Sequence, residues 1–115
     1  MTILGFNNAL EKQPSEILSI RTEFANVASS LVQSGYSMNS VDLVVFDPAG
    51  NNATSAMVSG SPSIDANNYY VFVTIKNGDD GKDYFARFKT TWIKTSQPDQ
   101  IIERDLKIEV RQKGF

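Results

Sequence analysis

The chain contains neither cysteine nor histidine. Without cysteine it has no disulfide, no thiolate metal site and no cysteine nucleophile, and its redox compartment is unreadable. Without histidine it lacks the commonest general base and the commonest metal ligand. No apolar run is long enough to suggest a membrane-crossing helix. Positive charge is also short: 11 Lys and Arg stand against 13 Asp and Glu, a net charge of −2. With an isoelectric point near 5.0, the balance argues against binding a phosphate backbone. The start, Met1 to Phe6, has no basic stretch and no long apolar segment, so no secretory leader is expected. Synthesis and assembly in the cytosol are the expectation.

At 115 residues the chain has room for one domain with a modest core. Its clearest feature is a succession of three strand-like runs. Tyr69 to Lys76 alternates Val71, Val73 and Ile75 with Tyr70, Phe72 and Thr74. Asp83 to Trp92 puts Tyr84, Ala86, Phe88, Thr90 and Trp92 on one face and Arg87, Lys89 and Thr91 on the other. Asp105 to Val110 alternates Leu106, Ile108 and Val110 with charged residues. Side chains alternate faces along a strand, so the last two runs predict one packed face and one wet face. Asn77-Gly78 and Asp80-Gly81 accept positive φ and reverse the chain. Lys94 to Gln100, containing Pro98, is predicted as a loop.

Earlier in the chain, Tyr36 to Asp47 reads as a strand closed by the turn Asp47-Pro48-Ala49-Gly50. Ala56 to Val58 is a short strand candidate, and Ser59 to Ser63 a loop. Pro14 to Gly35 is ambiguous. Ile17, Ile20, Phe24, Val27 and Leu31 form a helical stripe, yet Leu18, Ile20, Thr22 and Phe24 also alternate. Periodicity alone slightly favours one helix over a strand followed by a turn. Residues 1–13 carry Ile3, Leu4, Phe6 and Leu10 among polar neighbours. They are either a frayed terminus or an apolar arm that docks on a neighbouring subunit. Several short strands between turn clusters predict a β-sandwich.

Three segments together resemble a family of small immunoglobulin-like proteins encoded in the structural gene clusters of tailed phages and prophages. The first is Lys12-Gln13-Pro14-Ser15-Glu16, matching a Lys-Gln-Pro-x-Glu opening. The second is the strand Val41 to Phe46 ending at Pro48-Ala49-Gly50. The third is Val71 to Ile75, a turn, Gly81-Lys82-Asp83-Tyr84 at the family's Gly-x-x-Tyr place, and the closing strand Leu106 to Val110. The resemblance spans roughly residues 12–112. Asn77 stands where a turn glycine is usual, and the loop Thr95 to Gln100 is longer than the usual tight hairpin. The resemblance implies an all-β, immunoglobulin-like antiparallel β-sandwich with one short helical turn, over residues 14–115 behind an arm at 1–13. It also decides the ambiguous stretch: a strand from about Glu16 to Phe24, then a helical turn from about Asn26 to Leu31.

What the resemblance implies for function is a virion part of a tailed phage, assembled in the host cytoplasm. It would be an adaptor or accessory subunit of the neck, tail or fibre attachment, contacting other virion proteins and copies of itself. No catalytic residue, cofactor, metal, nucleic acid or membrane is implied. A capsid decoration protein and a carbohydrate- or receptor-binding module are the alternatives. The residues alone offer little chemistry against this. Asp79, Asp80 and Asp83 could suggest a Ca²⁺ loop, but their spacing fits no EF-hand. Glu103, Asp105 and Glu109 fall on a solvated strand face rather than in a carboxylate pair. Trp92 and Phe88 are assigned to the core. Phe72 and Phe85 point away from the core faces. With Ile3, Leu4, Phe6, Leu10 and the terminal Phe115 they make up the candidate partner contacts.

Overall fold

In the computed structural model, which describes residues 2–6 and 8–113, eight strands and two short helices form a two-layered sandwich. The first sheet has the order β1-β3-β6-β5, from Thr2–Leu4, Leu18–Glu23, Tyr70–Ile75 and Val58–Asp65. The second has the order β2-β8-β7-β4, from Ala9–Lys12, Gln100–Val110, Asp83–Ile93 and Ser37–Phe46. This is the ABED and CFG strand arrangement of immunoglobulin-like sandwiches. The first chain segment is split between the sheets: β1 pairs parallel with β3, and β2 parallel with β8. The other pairings are antiparallel.

The expected alternation sets the core. Ile20, Thr22, Val71, Val73 and Ile75 face Tyr84, Ala86, Phe88, Thr90, Trp92, Leu106, Ile108 and Val110, all buried. Burying these side chains against each other is the main drive for folding. The ambiguous stretch resolves into β3 and then α1 (Ser29–Gln33), with Phe24 and Ala28 buried beside them. A second helix, α2 (Thr54–Met57), stands where a strand was expected. Met57 is buried there, and the Thr54 hydroxyl accepts the Val45 N–H at 2.8 Å.

Three further expectations are corrected. The Ser59 to Ser63 stretch is part of β5, with a register shift between Ser59 and Ser63. Its Ser, Gly and Pro composition suits an outer strand, where a ladder can be broken cheaply. The strand expected from Asp105 begins at Gln100. The described part of residues 1–13 is built into both sheets instead of forming a free arm. Leu10 is 5% exposed and pairs with Ile108. The Phe6 ring packs edge-on against Phe24 at 5.0 Å and Phe88 at 5.7 Å between centroids. Apolar side chains this close to the open side of a sandwich lower the free energy most by burial within their own chain.

The motif residues have structural duties at one end of the molecule. Lys12 is buried, and its Nζ donates to the carbonyls of Gln13, Pro14 and Asn77. Glu16 accepts the Gln13 N–H at 2.6 Å. Asn77 takes φ +55°, a conformation that Asn tolerates better than most residues. The Tyr84 hydroxyl accepts the Asp79 N–H at 3.0 Å, the tyrosine-corner arrangement at the start of this strand.

Candidate functional site

Alternation along β7 sends Phe85, Arg87, Lys89 and Thr91 to the outer face of the second sheet, because Tyr84, Ala86, Phe88 and Thr90 fill the core. Register then chooses their neighbours. Phe85 lies opposite Phe46 of β4, and Arg87 lies between Val44 of β4 and Asp105 of β8. Two aromatic rings and an ion pair therefore meet on one patch of sheet.

The Arg87 guanidinium grips Asp105 through two hydrogen bonds, Nε to Oδ1 at 2.9 Å and Nη2 to Oδ2 at 3.1 Å. The same guanidinium sits 5.2 Å from the centroid of the Phe46 ring, within cation–π range. The Asp105 hydrogen bond, and then its charge, hold Arg87 still more firmly protonated than usual. Forked pairing fixes the planar group in orientation as well as place. The turn after β4 forms the wall. Asp47 Oδ1 accepts the N–H groups of Ala49 at 2.9 Å and Asn51 at 2.8 Å, and Gly50 turns at φ +87°. Together these parts border an open cleft of about 470 Å³. Phe85 is 40% exposed on its floor, an unusual exposure for a Phe held on a regular strand.

The remaining candidates are dispersed. Phe72 is half-buried on the outer face of the first sheet, its ring 6.2 Å from Tyr70. It borders a shallow serine-lined groove. Phe72 and Phe85 thus occupy opposite outer faces and cannot share a ligand. Leu10 and Phe6 are committed to the interior. The side chains of Ile3 and Leu4, and all of Phe115, lie outside the described residues. Asp79, Asp80 and Asp83 are spent separately: on Lys82, on the Gln112 N–H, and on Arg111 with Lys107. Glu109 faces Lys107 on the same wet surface as Asp105. Among the described residues no group of acidic side chains converges as a metal site would require. Phe46 and Arg87 were not among the candidates read from sequence, and Asp105 entered only as a carboxylate set aside on a solvated face. The alternation in Val41 to Phe46 puts Phe46 on the outer face, but only strand register places it beside Phe85.

The fold and face together define an immunoglobulin-like sandwich with an open, mixed aromatic and charged cleft on its second sheet. No protein-family model matches the chain, and a search of curated proteins returns no match.

Proposed function

We propose that the chain is a non-enzymatic virion subunit of a tailed phage, an adaptor or accessory protein of the neck, tail or fibre-attachment region. In this reading it binds a neighbouring virion protein through the outer face of the second sheet. The observation that carries the binding surface is Phe85, exposed beside the fixed Arg87–Asp105 pair. An aromatic anchor next to an oriented guanidinium is the composition of an energetic centre in protein interfaces. The virion assignment rests on the resemblance.

The test is incorporation. Purified particles should contain the chain, and Phe85→Ala with Arg87→Ala should reduce its occupancy by about tenfold or more, without lowering the thermal midpoint of the free domain. Particles lacking the wild-type chain would sink the virion assignment; full occupancy by the variant would sink the cleft. A second reading, a glycan- or receptor-binding module, is favoured by the same exposed ring lying next to donor and acceptor groups. Binding of the isolated domain to a glycan array, lost in Phe85→Ala, would select it over the adaptor.

A further inference from the structure

Three of the four lateral sheet edges are short or interrupted. β1 is three residues long. β5 shifts register between Ser59 and Ser63. β4 shifts register between Met38 and Ser40, and its other end is strapped: Val45 bonds to Thr54 and Ala53, and Phe46 bridges to Asn52. These are recognised ways of preventing edge-to-edge pairing. The fourth edge differs. β8 pairs with β7 without interruption from Gln100 to Glu109, but β2 covers its other side only from Lys107 to Val110. Among the described residues no strand pairs with the outer side of Gln100 to Leu106, and the Glu103 carbonyl there accepts one bond, from its neighbour Arg104 Nη1 at 2.7 Å, which leaves its second lone pair.

The direction of the backbone groups follows from the ladder. Val110 exchanges hydrogen bonds with the Gly81–Lys82 side, whereas Arg111 donates to Lys12 of β2. Because groups alternate along a strand, the N–H and C=O of Ile101, Glu103 and Asp105 point outward. Ile101 is also 56% exposed.

We propose that this edge pairs antiparallel with the same edge of a second copy, about a two-fold axis at Ile102, joining two four-stranded sheets into one of eight. Even-numbered residues of β8 face inward and odd-numbered ones outward, as the buried Leu106, Ile108 and Val110 show. A two-fold pairing must keep these faces aligned. With Ile102 at the centre, Ile102 meets Ile102 of the other copy, Gln100 meets Arg104, and Ile101 meets Glu103. No like charges oppose within this span, and the outward groups of Ile101 and Glu103 bond to one another. Moving the axis to Glu103 sets Glu103 against itself. Moving it to Ile101 leaves only Gln100 to Ile102 of the strand to pair, against Gln100 to Arg104 with the axis at Ile102. Like charge and ladder length together favour the Ile102 register. Asp99 and Asp105 oppose only beyond its ends, where Asp105 is already paired with Arg87. The contact is small, so the dimer is weak alone and gains from repetition in an assembly. This deepens the assembly reading and uses a surface separate from the Phe85 ring.

Sedimentation velocity and amide exchange, from about 10 µM to about 1 mM protein, test it. The wild-type chain should dimerise, with slower exchange at Ile101 and Glu103 as concentration rises. Ile101→Asp should weaken the dimer by about tenfold or more, because the same repulsion occurs twice. Ile101→Lys, which faces Glu103, should dimerise at least as well as wild type. Glu103→Pro removes an outward donor alone and should abolish pairing with the thermal midpoint retained. A wild-type monomer at 1 mM, or equal weakening by Asp and Lys at position 101, overturns the proposal. Phe85→Ala should leave the dimer intact, so failure of the cleft and failure of the edge are distinguishable.

Discussion

The indole Nε1–H of Trp92 donates to the Thr90 hydroxyl at 2.9 Å, and that hydroxyl donates onward to the Ile102 carbonyl at 3.1 Å. Both side chains are fully buried on the inner face of β7. One threonine therefore satisfies a buried donor and a carbonyl at once. Thr22, equally buried on β3, has no hydrogen-bond partner for its hydroxyl. An unpaired buried hydroxyl costs free energy that a methyl group would not. Replacing each threonine by valine should consequently have opposite effects. Thr90→Val should cost about 2 kcal/mol, since it orphans the indole, and Thr22→Val should stabilise by about 1 kcal/mol. Denaturant midpoints measure both; equal signs would refute the contrast.

Lys12 joins the end of β2 to the turn after β6 through the Asn77 carbonyl. Burial pushes its amino group below the usual 10.5, with Glu16 opposing. Its folded pKa therefore lies below the unfolded one, and stability should rise with pH between the two. The Lys12 Nζ bonds to three carbonyls, and Met cannot replace these bonds. Lys12→Met should lower stability by about 2 kcal/mol, read as a shifted denaturant midpoint. An unchanged midpoint would mean that the removed charge burial offsets the lost bonds.

Gly78 takes φ +97°, and a Cβ there would lie 2.7 Å from Val110 Cγ2 and 3.2 Å from Met57 Cε. Strain and overlap act together, so Gly78→Ala should cost about 3 kcal/mol. Tyr84→Phe, which loses the bond to the Asp79 N–H, should cost about 1 kcal/mol. Thermal melts of the two variants should rank in that order.

Acid sensitivity should arise in part at Asp83. A hydrogen bond from Arg111 at 2.7 Å, aided by Arg111 and Lys107 charge, holds its carboxyl below the usual 3.8. Because the folded pKa is the lower one, the unfolded chain binds the proton first. The contribution is complete above 3.8 and is lost as pH falls through the folded value. Asp83→Asn should remove this part of the pH dependence, visible in denaturant midpoints at about pH 7 and about pH 2. An Asn variant with the wild-type slope would exclude Asp83.

Much of the architecture is legible in residue order. Val71, Val73 and Ile75, and Tyr84 through Trp92, announce their buried faces by strict alternation. Where alternation fails, so does the sequence reading. The first half of β8 has solvent on one side and an open edge beside it, so Ile101, Ile102 and Glu103 carry no period-two pattern. β5 hides behind Ser59-Gly60-Ser61-Pro62, a composition shared by loops and interrupted strands. The cleft was half-visible: Phe85 stands out as an apolar residue on a charged face, whereas Phe46, Arg87 and Asp105 do not.

Local patterning by itself pointed to a β-sandwich, to the buried faces of its main strands and to several of its turns, while over Pro14 to Gly35 it leaned towards a helix. Those properties depend on side-chain alternation and on φ preferences, both carried by neighbours in sequence. Tertiary structure alone decided that Phe46, Phe85, Arg87 and Asp105 share one cleft, and that Thr2–Leu4 and Ala9–Lys12 add to the two sheets. Strand register and sheet order are set by contacts between residues far apart along the chain. A one-residue slip would exchange every face while leaving the sequence pattern unchanged.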